Sequence, residues 1–329
     1  MFISLLESEL LDLYFKKPSK EAREAMCQAV NDISSRNQLI KSTEKDVCNL
    51  TGHKYSKIMN SGNSAIFTVM NNFQEKIMVP DQGGWSGFIK IAEFLGLELI
   101  YLPTDNGLID PKQLIDILIK KKPEAFFLTS FAGYTAEQPI KEIYEVCDEE
   151  GVVLIEDASG ALGDETGRLA NGKHSHIIVA STGSPKIVNV GNGGLISSNL
   201  EEMLETSLKF LQADHVTCAG ISQEIKHAPS TLSKAISSSS YLKDELENVF
   251  HKYNRGINVI CKADNPNKLA KELRTVIKVH NGGMISKCPR YDRILENAVA
   301  LEIKNLDICC LTSENLDGII EIAKSAMKV

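Results

Sequence analysis

Lys186 stands in the run STGSPKIVNVGNGGLISS, residues 181–198. An apolar stretch, His176–Ala180, precedes it, and glycines open a second apolar stretch, Gly191–Ile196, after it. A lysine in a tight loop of small residues between two buried strands is poorly explained as surface charge. Its amine can form a Schiff base with a carbonyl. A lysine that is desolvated or flanked by cations titrates low enough to be a nucleophile near neutral pH.

Three upstream stretches supply groups that could work with this amine. NSGNSAI, Asn60–Ile66, is a small-residue loop opening a helix. Backbone amides at such a helix start, with a glycine among them, form an anion site. A plainly capped helix, with Ser61 or Asn63 as N-cap, reads equally well. VPDQGGWSGF, Val79–Phe88, places the single tryptophan just after a strand. Ligands of α/β sheets gather at the C-terminal ends of strands, so Trp85 could stack on a flat aromatic ligand or could pack the core. VVLIEDASGALG, Val152–Gly163, runs from apolar residues straight into Glu156 and Asp157. An ionised carboxylate ending a buried strand needs a partner. A protonated pyridine nitrogen would serve, and so would a metal ion or the amides of the next turn. Lys186 follows Asp157 by 29 residues, 186 less 157. Ser181 adds a hydroxyl for a phosphate, and Gly191, Gly193 and Gly194 permit close backbone approach.

Phosphate loop, stacking aromatic, strand-end aspartate and lysine, in that order, fit pyridoxal 5'-phosphate. Here the sequence resembles the fold-type I pyridoxal-phosphate enzymes, and among them the DegT/DnrJ/EryC1/StrS aminotransferases. NSGNSAI is similar to that family's SGT-A-AL run, MVPDQGGW to its VP-x-x-TF run, LIEDASGALG to its EDA-x-Q-A-x-G run and STGSPKIVNVGNGGLI to its S-F-x-P-x-K-N…GEGG run. The likeness covers residues 45–200 and fades beyond them. It implies Lys186 as Schiff-base lysine and proton shuttle, with Asp157 on the pyridine nitrogen and Trp85 on the ring. Gly62, Asn63, Ser64 and Ser181 would hold the phosphate. The sequence departs from the family pattern at Asn63, where the family has threonine. Gly160 stands where it has a glutamine that approaches the cofactor's phenolic oxygen, and Ile187 where it has asparagine. Retention of Lys186 favours amino transfer over the dehydration that histidine-bearing relatives perform. Alternatives are another reaction of the same cofactor, cysteine desulfuration or aminoacyl-tRNA modification, and a non-catalytic binding protein of this fold. The resemblance also implies a homodimer with its site at the interface, acting on a small amino donor and acceptor.

The elements that must position these groups alternate. Apolar runs at Ile77–Pro80, Leu97–Leu102, Ala125–Phe131, Val152–Asp157, His176–Ser181 and Gly194–Ser198 are separated by helical stretches at Asn63–Phe73, Ser86–Leu95, Pro111–Lys121 and Pro139–Glu150. That pattern predicts a three-layer α/β/α fold with a mainly parallel central sheet. Asp110–Pro111 is a helix start and Gly151 a helix stop. An amphipathic helix is expected over residues 19–35. The expected division is an N-terminal segment and large cofactor domain over 1–212, an irregular serine-rich connection over 213–240, and a small α+β domain over 241–329. The last contains a helix at Tyr241–Tyr253, strands at Ile257–Lys262, Ala298–Ile303 and Asp307–Leu311, and helices at Pro266–Val276 and Ser313–Met327.

Arg255, Arg290 and Arg293 are candidates for a substrate carboxylate, which a guanidinium meets bidentately. Cys288, beside Arg290, is considered as a reactive thiol, and adjacent Cys309 and Cys310 as buried structural thiols on a strand. The eight cysteines form no CxxC pair, which with 329 residues suits reduced thiols in the cytoplasm. A net charge of −7 with no basic block gives no support for nucleic-acid binding. The opening MFISLLESELLDLYF lacks a basic leader region, and no apolar run reaches membrane-spanning length.

Overall fold

The computed structural model describes residues 10–205 and 209–327. Most of the N-terminal run read above as no leader lies outside them. Strand β1 (Leu11–Tyr14) leads to helices α1 (Lys20–Asn31) and α2 (Arg36–Thr51), and then to β2 (Tyr55–Met59). The sequence reading merged or missed these first elements: Asp32 ends α1 by turning out of helical geometry, and α2 begins four residues later. There follow α3 (Gly62–Met70), β3 (Lys76–Pro80), α4 (Ser86–Leu95), β4 (Glu98–Leu102), α5 (Pro111–Lys121) and β5 (Ala125–Thr129). A small hairpin, β6 (Phe131–Ala132) and β7 (Ala136–Glu137), precedes α6 (Ile140–Glu149), β8 (Val153–Asp157), β9 (Ile177–Ser181), β10 (Gly194–Ser198) and α7 (Glu202–Glu205).

Seven of these strands form one sheet in the order β2-β10-β9-β8-β5-β3-β4. Only β10 runs against its neighbours, β2 and β9. The other pairings are parallel. Side chains alternate across the sheet, and both faces are buried. Ile77, Val79, Phe127, Ile155 and Val179 pack under α3 and α4 with Ile66, Val69 and Phe88. Met78, Phe126, Leu128, Leu154 and Ile178 pack under α5, α6 and α8 (His215–Glu245) with Leu114, Ile143 and Ile221. The expected three layers are present.

Helix α8 replaces the irregular connection expected over 213–240. Its buried residues Ile221, Ile225, Ala228, Leu232 and Ala235 recur every three or four positions, and Leu242 follows seven residues on, in one stripe. Serines on the outer face turn back onto the helix: Ser230 and Ser237 donate to the carbonyls of His227 and Lys234. Asp214 caps the first turn.

After α8 come β11 (Val259–Lys262), α9 (Pro266–Val276), β12 (Ile277–His280), β13 (Ile285–Cys288), β14 (Ala298–Leu301) and α10 (Ser313–Met327). Strands β11, β14 and β13 make an antiparallel sheet, while β1 pairs with β12 in parallel. The first described strand therefore joins the C-terminal layer, where Leu13 is buried with Leu242, Leu273 and Ile319. The strand expected at Asp307–Leu311 is a 3₁₀ turn, because Asp307 accepts a hydrogen bond from the Cys309 amide and reverses the chain. Cys310 is buried there, but Cys309 is exposed.

Candidate active site

Asp157 ends β8 and Ser181 ends β9, while α3 starts directly beside them. All three thus meet at the C-terminal edge of the parallel strands. They line a cavity of about 430 Å³ together with Gly62, Asn63, Trp85 and Lys186. Of the seven residues expected to hold a cofactor, the fold brings six to this cavity. Ser64 is the exception. Its hydroxyl pairs with Ser61 and Asn60 inside the helix cap.

The start of α3 is built for close approach. Ser61 caps it by accepting from the Ser64 amide. A Cβ on Gly62 would lie 2.6 Å from Ser181 Cβ, and one on Gly194 would lie 2.6 Å from the Ser61 carbonyl carbon. Only glycine lets β9, β10 and the helix start come this near. The Asn63 side chain accepts from Trp85 Nε1 at 2.8 Å, so Asn63 offers the cavity its backbone amide. The same bond fixes the indole. Gly87 leaves room for it, since a Cβ there would lie 2.3 Å from Trp85 Nε1.

Glu156 and Asp157 are neighbours on a strand and point to opposite faces. Glu156 faces away from the cavity and accepts from Ser130, Ser175 and the Ala170 amide. Asp157 faces the cavity. Ser159 donates to its Oδ1 from amide and hydroxyl, and among the described residues no hydrogen bond reaches Oδ2. Burial pushes the Asp157 carboxyl up, against the pull of Lys186 and Ser159. A cation at Oδ2 would relieve that penalty.

Lys186 is held by its loop. Its amide donates to Gly183, and the buried Lys16 amine donates to the Ile187 carbonyl at 3.1 Å. Its Nζ donates to the Tyr134 hydroxyl at 2.8 Å and lies 5.7 Å from the Trp85 ring centre. Burial pulls the amine down, but Tyr134 and Asp157 outweigh it and leave the pKa above its ordinary value. The sequence reading expected the reverse. Desolvation alone does lower a lysine, but a carboxylate and a phenol facing the amine hold its proton.

The C-terminal layer closes the cavity with residues that sequence reading missed or misplaced. Arg293 is buried, and Nε and Nη2 grip Glu302 at 2.7 and 2.8 Å. Its Nη1 donates to the carbonyl and carboxylate of Asp292, so all three nitrogens are engaged and it is a poor free hook for a substrate carboxylate. Arg290 lines the cavity and pairs with Asp292. Arg255 binds Glu137 and Asp164 and is absent from the cavity lining. Cys288 is buried and its thiol is pushed up, which removes it as a reactive group. Lys304, unanticipated, lines the cavity, is buried, and has its pKa lowered to about 7, mainly by burial. Tyr134, also unanticipated, follows the C-terminal end of β5. That position is the one signal in the sequence that could have found it.

A family model described as the DegT/DnrJ/EryC1/StrS aminotransferase family matches residues 18–227. The chain belongs to this family. Residues 229–324 match a second model, the MJ1341 family C-terminal domain. The chain is 26% identical over 197 residues to a UDP-4-amino-4,6-dideoxy-N-acetyl-beta-L-altrosamine transaminase of Campylobacter jejuni, which covers 58% of this chain and 51% of that one. It is 22% identical over 181 residues to GDP-perosamine synthase of Vibrio cholerae, covering 54% and 49%. It thus spans about half the length of these curated relatives. In fold it is similar to PseC of Helicobacter pylori, with a TM-score of 0.77 at 15% identity over 96% of this chain and 98% of that one. Serine palmitoyltransferase of Sphingomonas wittichii gives 0.74 at 14% identity, over 96% and 87%. The architecture is that of fold-type I. This is a family of pyridoxal-phosphate-dependent aminotransferases, and pyridoxal phosphate is its cofactor.

The residues present fit that cofactor. The glycine cradle at the start of α3 suits a phosphate, the cavity-facing Oδ2 of Asp157 a protonated ring nitrogen, and Trp85 a flat ring.

Proposed function

We propose that this chain is an aminotransferase that holds pyridoxal phosphate covalently through Lys186 Nζ and pairs Asp157 with its pyridine nitrogen. The observation that carries the reading is the meeting of Lys186, Asp157, Trp85 and the α3 start around one cavity. The cofactor supplies an aldehyde that takes up an amino group and a ring that accepts electrons. The chain's residues do the rest. The amides of Gly62 and Asn63, with Ser181, bind and orient the phosphate. Asp157 keeps the ring nitrogen protonated. A cation at Asp157 also takes over that carboxylate, so Lys186 loses one of the two groups that hold its proton. The amine would then be freer to give up its proton, and its place in the cavity would let it accept and return a proton at a substrate carbon.

The amino donor and acceptor are small molecules in this reading. The named relatives are transaminases and a synthase of nucleotide-linked amino sugars, so such an acceptor is the first to try. A second copy of the chain is proposed to complete the site. Phe210 is 73% exposed, and its carbonyl accepts from Asn60, next to the phosphate loop. A bare aromatic at that rim suits an interface. All eight cysteines are free thiols, which supports a reducing compartment, the cytoplasm. No helix among the described residues is long and apolar enough to cross a membrane.

The purified protein supplied with pyridoxal phosphate should turn yellow, and borohydride should fix the cofactor on Lys186 by peptide mass spectrometry. Lys186→Ala should take up no fixable cofactor and make none of its amine form with any amino donor. Fixation at another lysine, or conversion by the alanine variant, would overturn the assignment.

A further inference from the structure

Tyr134 occupies a place the chain has to make for it. Its backbone is left-handed, with φ of 63°, a conformation costly for a bulky aromatic residue. Hydrogen bonds from the amides of Ile257 and Asn258 to its carbonyl hold it there. Gly133 before it is also left-handed, and a Cβ at that position would meet the Arg293 carbonyl at 2.7 Å. Gly160, across the ring, has no room for a side chain either. A Cβ there would lie 2.9 Å from Tyr134 Cε1 and 2.9 Å from Ile257 Cδ1. Two glycines and a strained tyrosine thus converge on one outcome, a phenol hydroxyl 2.8 Å from the Lys186 amine. The ring also receives three cations. Lys304 Nζ is 4.8 Å, the Arg293 guanidinium 4.9 Å and Lys186 Nζ 5.1 Å from its centre.

We propose that Tyr134 is a catalytic residue of this site, whose hydroxyl aims the Lys186 amine and retains its proton until the cofactor is seated, and that Gly160 is the residue that admits it. The inference rests on Lys186 as the cofactor-bonding amine. Lys186 faces Tyr134 and Asp157, which favour its protonated form, and Arg293 and Lys304, which oppose it; the Trp85 ring is the remaining close neighbour. Removing the hydroxyl leaves only Asp157 to hold the proton against burial and Arg293, Lys304 having released its own near pH 7. The amine should then lose its proton at lower pH.

The test is the rate at which the apoprotein captures pyridoxal phosphate, followed by the growth of the visible band across a pH series. Capture requires the neutral amine, so the midpoint reports its titration without any turnover. Tyr134→Phe keeps the ring and should move the midpoint down by about one pH unit or more, a tenfold change in rate on the rising limb. Gly160→Ala should displace the ring and move it the same way. The double variant should shift no further than Tyr134→Phe, because both act through one hydroxyl. An unchanged midpoint in a folded Tyr134→Phe protein would overturn the proposal, as would additive shifts in the double variant. If Tyr134→Phe fails to fold, Gly160→Ala alone decides: an unchanged midpoint in that folded variant would overturn the proposal. Capture by the parent protein but no shift in the variants removes the role of Tyr134 alone. No capture by the parent removes the reading of Lys186 itself.

Discussion

Replacing Lys304 by methionine should change how stability depends on pH, and the size of the change follows from burial. The Lys304 side chain is 5% exposed, and its amine donates to Asn305 Oδ1 at 2.7 Å and lies 3.6 Å from Glu302. Burial lowers its pKa from 10.5 to about 7. Glu302 works against that change, while Arg293 and Lys186 add to it. The unfolded chain keeps this proton up to about pH 10.5, whereas the folded chain releases it near pH 7. Between those values the unfolded state binds one more proton, so this group makes folding more favourable as pH rises. The gap of about 3.5 pH units corresponds to roughly 5 kcal/mol across the whole window, a cost fully present below pH 7. Lys304→Met has no such cost. Glu302 keeps its bidentate Arg293 and stays ionised throughout, its own pKa lying at about 2. Urea unfolding of the apoproteins at about pH 6 and about pH 9.5 should show the variant's advantage shrinking by about 3 kcal/mol as pH rises. Parallel pH profiles for parent and variant would refute the reasoning. They would mean that Lys304 is neutral in both states or as well solvated folded as unfolded.

Three other outcomes are expected. Asp157→Asn should weaken pyridoxal-phosphate binding on the order of 100-fold, measured by equilibrium dialysis, because a charge-assisted bond to the ring nitrogen becomes a neutral one. Gly62→Ala drives a methyl to within 2.6 Å of Ser181 Cβ. It should cost about 1–3 kcal/mol by urea titration and disrupt phosphate binding, read as loss of affinity for the cofactor. The Ser238 and Ser239 hydroxyls are buried with no hydrogen-bond partner among the described residues. Alanine at Ser239 should therefore raise thermal stability by about 1 kcal/mol or leave it unchanged, and a drop above that size by calorimetry would contradict the burial argument.

The sequence and the structure part company at specific residues. Helix α8 was legible in the spacing of Ile221, Ile225, Ala228, Leu232 and Ala235. The serine composition of 233–240 masked it, because serine preference for turns is weaker than an apolar stripe with a core to cover. Cys309 misled in the opposite sense. An apolar run suggested a strand, yet one capping bond from Asp307 turns the chain and leaves that thiol outside. Strands β1 and β12 are four residues each, and their pairing joins positions 266 residues apart, Leu11 with Ile277. No local pattern encodes such a partner.

The site divides along the same line. Lys186, Asp157, Trp85 and the Gly62 turn were readable because each lies in a strand-to-loop or loop-to-helix junction whose residue types are constrained by the backbone. Small residues, a strand-end carboxylate and a lone lysine survive as local signals. The charge environment of Lys186 was not readable. Its proton is held by Tyr134, 52 residues upstream, and by Asp157, and is opposed by Arg293 and Lys304 from the C-terminal layer. Burial and Coulomb forces depend on distance in space, so only the folded chain could decide the direction in which that amine titrates. Sequence alone picked out Lys186, Asp157, Trp85 and Gly62, which line one cavity; tertiary structure decided which groups touch there, and so what Lys186 holds its proton against.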